Sequence, residues 1–141
     1  MLGLKSSSRQ IWQKNWRGRL SDYVTAICWS PQGDTLAACS AAGEVMLLRE
    51  LSDRILLDLP SQDPLNSLAF STDGQYLAAG GQGNTLFVWQ CSGSEELPAS
   101  LVCSLPSKHW IEHVAWHPQL NWLAFNVGRY VQVWDATSQM V

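Results

Sequence analysis

Charge is scarce in this sequence, long apolar runs are missing, and no stretch carries the spacing of a helix. Asp, Glu, Lys and Arg make up 15% of the 141 residues, while hydrophobic residues make up 46%. A chain this apolar folds around a core rather than staying disordered. Its longest apolar stretches, VMLL at Val45 to Leu48 and RILLDL at Arg54 to Leu59, are strand-sized and far short of the roughly 20 residues of a membrane helix. No membrane partner is therefore expected. Gly and Pro interrupt the chain too often for long helices, which leaves an all-β reading.

Basic clusters and paired-cysteine spacing are also lacking. The net charge is -3 and the pI is near 5.5, and Lys14, Arg17 and Arg19 form only a dispersed group, so no nucleic acid partner is expected. Cys28, Cys39, Cys91 and Cys103 stand singly among apolar neighbours without CxxC spacing. That pattern suits small buried hydrophobes in a reducing compartment better than a disulfide frame or a zinc site. The N-terminal MLGLKSSSRQIW has no long apolar core followed by a cleavage site, so the expected location is cytoplasmic.

Catalytic signatures are missing as well. There is no GxSxG elbow, and GGQGN from Gly80 lacks the GK[ST] ending of a phosphate loop and leads into a strand. Glu95 and Glu96, inside CSGSEELP, read as a solvated loop. His109, His113 and His117 recur every four residues, but on a strand they would span about 26 Å, too far to share one ion without a bend. The expectation is no catalytic residue, no cofactor site, no metal site and no enzyme.

What the sequence does have is an internal repeat. VTAICWSPQGDTLAACSAAGEVMLLR from Val24 lies without a gap over LNSLAFSTDGQYLAAGGQGNTLFVWQ from Leu65, an offset of 41 residues, and IEHVAWHPQLNWLAFNVGRYVQVWD from Ile111 follows 46 residues later with one deletion near Gly128. Each copy reads as strand, turn, strand, turn, strand, with Pro and Gly or Asp and Gly at the first turn. Glycine supplies the positive φ that such turns require, with Gly43 in one second turn and Gly81 and Gly83 in another. Short apolar segments at Arg54 and Ala99, and a less certain one within Gln10 to Gly18, each add a strand, so the unit has four strands. The units span approximately residues 11–49, 54–90 and 99–135 of a single domain covering 1–141. His117 stands in the place of Ser30 and Ser71, which assigns it to a turn.

Three copies of this grammar resemble the WD-repeat family. The residues that carry the resemblance are SPQG at Ser30, STDG at Ser71, HPQL at His117, LAA at Leu36 and Leu77, VWQ at Val88 and VWD at Val133, which includes the Trp134-Asp135 pair. The resemblance implies a partial β-propeller of about three four-stranded antiparallel blades. It departs from the family pattern in lacking the Gly-His pair before each first strand and the Asp of the second turn, and Leu48 stands where the first unit would carry Trp. The family's His-Ser-Asp-Trp network is therefore not expected, and packed apolar strands are left to hold the sheets.

A ring of propeller blades usually needs roughly 4–8 of them, so the open faces call for a cover. Three accounts compete: the chain is the front part of a longer propeller whose missing C-terminal part completes the ring, which is the favoured one; several copies self-associate into one ring; or another polypeptide supplies the remainder. Of the eight tryptophans, Trp89, Trp134, Trp29 and Trp116 occupy repeated positions and read as structural. Trp12, Trp16, Trp110 and Trp122 lie outside them, and the first three lie near Arg17, Arg19 and Lys108, the aromatic-and-cation composition of protein contacts. These six are the candidate partner-binding residues. The resemblance implies a protein-interaction scaffold or adaptor. A metal-handling or enzymatic propeller, or a truncated one without independent function, stays open as the alternative.

Overall fold

The computed structural model describes residues 17–49, 54–57, 59, 62–91 and 99–141. Eleven strands lie along them: β1 (Val24–Trp29), β2 (Thr35–Ser40), β3 (Val45–Arg49), β4 (Arg54–Leu57), β5 (Leu65–Phe70), β6 (Tyr76–Gly81), β7 (Thr85–Cys91), β8 (Ala99–Pro106), β9 (Val114–Trp116), β10 (Trp122–Val127) and β11 (Tyr130–Asp135). No helix occurs among the described residues. The strands form three antiparallel sheets, ordered β1-β2-β3-β4, β5-β6-β7-β8 and β9-β10-β11.

The first turn of each sheet has one design. The Ser30 N–H donates to the Thr35 carbonyl at 2.8 Å and the Gly33 N–H to the Ser30 carbonyl at 2.9 Å, and Ser71, Gly74 and Tyr76 repeat both bonds. Gly33 and Gly74 sit at φ of +78° and +75°, which a side chain would strain. The serine hydroxyls accept from the backbone N–H groups of Thr35 and Tyr76. His117 takes over that acceptor role in the third turn, its Nδ1 receiving the N–H groups of Gln119 and Leu120 at 3.0 Å each. The histidine is thus a turn residue, as its alignment with the serines implies.

Register follows the repeat closely. Ala37 opposes Leu47 in sheet 1, Ala78 opposes Val88 in sheet 2, and Ala124 opposes Val133 in sheet 3. The first strand pair carries an irregularity at the same place in sheets 1 and 2, between Val24 and Ala26 and between Leu65 and Ser67. The strand from Arg54 pairs with β3 and the strand from Ala99 with β7. Each of these strands therefore completes the sheet of the triplet before it, so that units counted along the sequence and sheets counted in space are offset by one strand. The candidate strand within Gln10 to Gly18 lies outside the described residues apart from its last two positions.

Side chains alternate between two faces of each sheet, and both faces of sheet 2 are used. Its rear face, with Leu68, Leu77, Phe87 and Trp89, packs on Ala37, Cys39, Val45 and Leu47 of sheet 1. The forward face, with Ala78, Leu86 and Val88, packs on Ile111, Leu123, Phe125 and Trp134 around sheet 3. Small residues on one face admit the large rings and leucines of the next, and each large side chain so buried contributes about 1.5–3 kcal/mol. The inner strands are neighbours, β1 beside β5 and β5 beside β9, so the sheets stand like vanes with their first strands gathered. This is the arrangement of a partial propeller.

Three details depart from expectation. Gly81 belongs to β6, and neither it nor Gly83 has a positive φ; Asn84 at +53° makes that turn. The glycines of β6 serve close approach instead, since a Cβ on Gly80 would come within 2.5 Å of Ile111 Cγ2 and one on Gly81 would overlap the Pro64 carbonyl. Trp29 is not a core residue: it is 57% exposed, because no sheet among the described residues packs on the rear face of sheet 1. Trp122 is not outside the aromatic repeat, for it stands at the position of Tyr76, one residue before the Leu123 that matches Leu77.

Candidate docking face

The second turns of the sheets and the loops between sheets meet at one end of the fold. The Gln82 N–H donates to the Pro64 carbonyl at 2.8 Å, Ile111 to Gly81 at 2.9 Å and Ser107 to Asn84 at 2.7 Å. Gly43 lies against Gln62 and Asp63, and Gly128 against the ring of His109. Each β-turn is thereby fastened to an intersheet loop, and the surface between them is shaped by backbone rather than by mobile side chains.

Two clefts of about 400 Å³ open on this end. One is lined by Asn84, Lys108, His109, Trp110, Glu112 and Asn126. Its loop is held from both sides. The Ser107 hydroxyl donates to the His109 carbonyl and accepts the His109 N–H, while Asn126 Oδ1 accepts the N–H groups of Glu112 at 3.0 Å and His113 at 2.8 Å. Trp110, 51% exposed, is thus presented beside an ammonium and a carboxylate on a fixed loop. An apolar anchor ringed by charge is suited to grip another protein.

The second cleft is lined by Ser21, Glu44, Leu56, Leu57, Leu59 and Gln62. Glu44 Oε1 accepts the Ser21 N–H at 2.9 Å, the Ser21 hydroxyl at 2.7 Å and the Ser40 hydroxyl at 2.9 Å. Burial works to raise the Glu44 pKa, but the bonds from Ser21 and Ser40 outweigh it and hold the carboxyl below its usual range. Ser40 is fully buried. These three residues stand where the missing His, Ser and Asp network would be, so a different polar link replaces it in sheet 1 while Leu48 fills the tryptophan position. Sequence reasoning missed this link because it looked for Asp at Ala42; the signal was a serine preceding the turn with an acid four residues on.

Of the six candidate partner-binding residues, Trp12 and Trp16 lie outside the described residues. Lys108 and Trp110 come together in the first cleft. Arg17 and Arg19 do not join them: Gly18 rests on Met46 and Leu48 of sheet 1, Leu20 packs on Ala38, Met46 and Leu48, and the Arg17 carbonyl accepts from Arg54 Nε. That pair borders the rear face of sheet 1, whereas Lys108 and Trp110 lie at the boundary of sheets 2 and 3. Sequence proximity to tryptophans does not show which sheet face a residue will reach. Among the described residues no group of three His, Cys, Asp or Glu side chains converges as a metal site would require.

A repeat fold of stacked antiparallel vanes, with turns and loops fastened into one face, defines a propeller-type protein. Residues 12–47 and 54–90, more than half of the chain, match the model described as WD domain, G-beta repeat, and the chain belongs to the WD-repeat family. Among known proteins it is similar to echinoderm microtubule-associated protein-like 2 of Rattus norvegicus, 26% identical over 134 residues that cover 93% of this chain and 20% of that protein. The protein of the same name in Homo sapiens is 27% identical over 126 residues, 87% of this chain and 19% of its own length. The chain thus spans about one-fifth of the curated relatives it matches. Among solved structures, the RRP9 WD40 repeats superpose with a TM-score of 0.74 at 15% identity, covering 89% of this chain and 38% of that one. Sqt1 from Chaetomium thermophilum gives 0.76 at 21% identity, covering 87% and 35%. These likenesses show the fold.

Proposed function

We propose that this chain is an interaction module that binds a protein partner on the face formed by its second turns and intersheet loops, with Trp110 as the apolar anchor and Lys108 as the adjoining cation. The observation that carries the reading is the exposed indole held on a loop whose backbone is bonded to Asn126 and Ser107. An exposed aromatic fixed in this way loses little freedom on binding, which favours affinity. Membership of a repeat family whose members serve widely as protein scaffolds supports the same reading.

A non-enzymatic role agrees with the thiols. Burial pushes the Cys28 thiol up to about 12 and the Cys91 thiol up to about 11, so neither supplies a thiolate nucleophile at neutral pH. None of the four cysteines is in a disulfide, which supports a reducing, cytoplasmic location as part of the proposal.

The relatives named as microtubule-associated make polymerised tubulin the first partner to try. In a co-sedimentation assay, Trp110→Ala with Lys108→Glu is expected to lower the bound fraction by about tenfold or more, as truncating an interface anchor does, with the unfolding midpoint unchanged. Pelleting equal to that of the unsubstituted chain would exclude this face as the docking site.

A further inference from the structure

The Trp110 cleft, bounded by the described turns of sheets 2 and 3, is lined by donors that lack a protein acceptor. Asn126 Oδ1 accepts the backbone N–H groups of Glu112 at 3.0 Å and His113 at 2.8 Å. Only the oxygen of an amide can accept, so these two bonds fix which way the side chain lies and leave Nδ2 at its other end. Nδ2 has no partner among the described residues. No buried side-chain nitrogen or oxygen among them lacks one, so Nδ2 opens to solvent. The Lys108 ammonium lines the same cleft and likewise makes no hydrogen bond or ion pair among the described residues.

A partner that covers Trp110 covers these donors with it. A donor stripped of water and given no acceptor opposes binding, an ammonium more strongly than an amide. The partner must therefore bring acceptors, and for the ammonium an anionic one. Glu112 is the opposing charge in the lining. Burial decides between the two: Asn126 is half-buried, whereas Glu112 and Asn84 are exposed. The polar group of the lining that is hardest to keep wet under a partner is thus a donor, while the Glu112 carboxylate keeps its water at the rim.

We propose, on the basis of the docking reading of this face, that the cleft takes a carboxylate side chain of an acidic protein segment. Lys108 Nζ and Asn126 Nδ2 meet the carboxylate, and the neighbouring apolar part of the segment lies on the Trp110 indole. Asn126 then has two tasks, its oxygen holding the loop and its nitrogen reading the partner.

The probe is a short fluorescein-labelled peptide alternating Glu with Leu, compared with the same peptide carrying Gln or Lys in place of Glu. Binding to the 141-residue chain is read by fluorescence anisotropy. The Glu peptide is expected to bind, the Gln peptide about tenfold more weakly, and the Lys peptide more weakly still. Asn126→Asp keeps an oxygen for the two backbone N–H groups and replaces the Nδ2 donor by an anionic oxygen. It is expected to weaken the Glu peptide by about tenfold or more, with the unfolding midpoint unchanged. Lys108→Gln, at an exposed position, is expected to do the same and carries the test if Asn126→Asp does not fold. Equal affinity for the Glu and Gln peptides, a preference for the Lys peptide, or no binding of the Glu peptide overturns the proposal. So does a folded Asn126→Asp or Lys108→Gln variant that binds the Glu peptide like the parent. Trp110→Ala separates this from the docking reading: if it releases Glu and Gln peptides that the parent holds equally, the face docks proteins and only the acidic chemistry fails. If it holds the Glu peptide like the parent, the docking reading fails as well.

Discussion

The indole N–H of Trp116 donates to the Ala69 carbonyl at 2.9 Å, tying the inner strand of sheet 3 to that of sheet 2. Phe70 stands at the matching position one sheet earlier, packing on sheet 1 without any such donor. The two boundaries share one packing plan, and the Trp116 bond is among the hydrogen bonds in which they differ, beside Thr25 Oγ1 to the Leu65 carbonyl at the first and the Val114 N–H to Ser67 Oγ at the second.

That difference can be measured. Trp116→Phe keeps an aromatic ring against Tyr76 and gives up the bond, so it is expected to cost about 1 kcal/mol. Trp116→Ala removes the ring and the stack, and is expected to cost about 3 kcal/mol. Urea unfolding with unchanged slope would show both; no loss for Trp116→Phe would mean that the bond contributes nothing, and equal losses for the two variants would mean that the ring packing contributes nothing beyond the bond.

Glu44 supplies a pH-dependent contribution whose sign follows from its bonds. Its folded pKa lies below the ordinary value, burial being outweighed by Ser21 and Ser40. The unfolded chain thus binds the proton more readily, and the stabilisation is present in full above the ordinary glutamate value of about 4.3. It is lost as pH falls through the folded pKa. Solvent reaches this group, so Glu44→Gln is expected to lower stability at neutral pH by only about 0.5–1 kcal/mol, with the gap to the unsubstituted chain closing below about pH 4. Unfolding curves at the two pH values test this, and a gap independent of pH would refute it.

Gly81 and Gly33 are expected to resist alanine for different reasons and to different degrees. A Cβ on Gly81 meets the Pro64 backbone, which cannot move without disturbing the Gln82 bond to the same carbonyl. Gly33 has open space around it but sits at φ +78°. Gly81→Ala is expected to cost about 2–3 kcal/mol through overpacking, against about 1–2 kcal/mol for Gly33→Ala through backbone strain. Thermal unfolding of the pair ranks them, and the reverse order would contradict the steric account.

Local chemistry was enough to read the strands and their turns. The alternation from Val24, the SPQGD and STDGQ reversals and the offset of 41 residues place β1 to β3 and β5 to β7 within a residue or so, because side-chain period and turn residues act over a few positions. The His117 turn was legible for the same reason. Of the candidate site, the pairing of Lys108 with Trp110 was readable from adjacency, while Arg17 and Arg19 went to another face and the Ser21, Glu44 and Ser40 link was not anticipated.

What the linear pattern determined by itself is therefore the repeated strand-and-turn unit and the family it belongs to. Tertiary structure alone decided that RILL completes the sheet before it, that Asn84 rather than Gly83 turns the chain, and that Tyr76 meets Trp116 while Trp29 and Trp122 face outward. The physical reason is reach. Turn geometry and alternation are set by neighbouring residues, whereas intersheet packing and intersheet hydrogen bonds join residues some 40 positions apart and depend on which face of which sheet stands opposite.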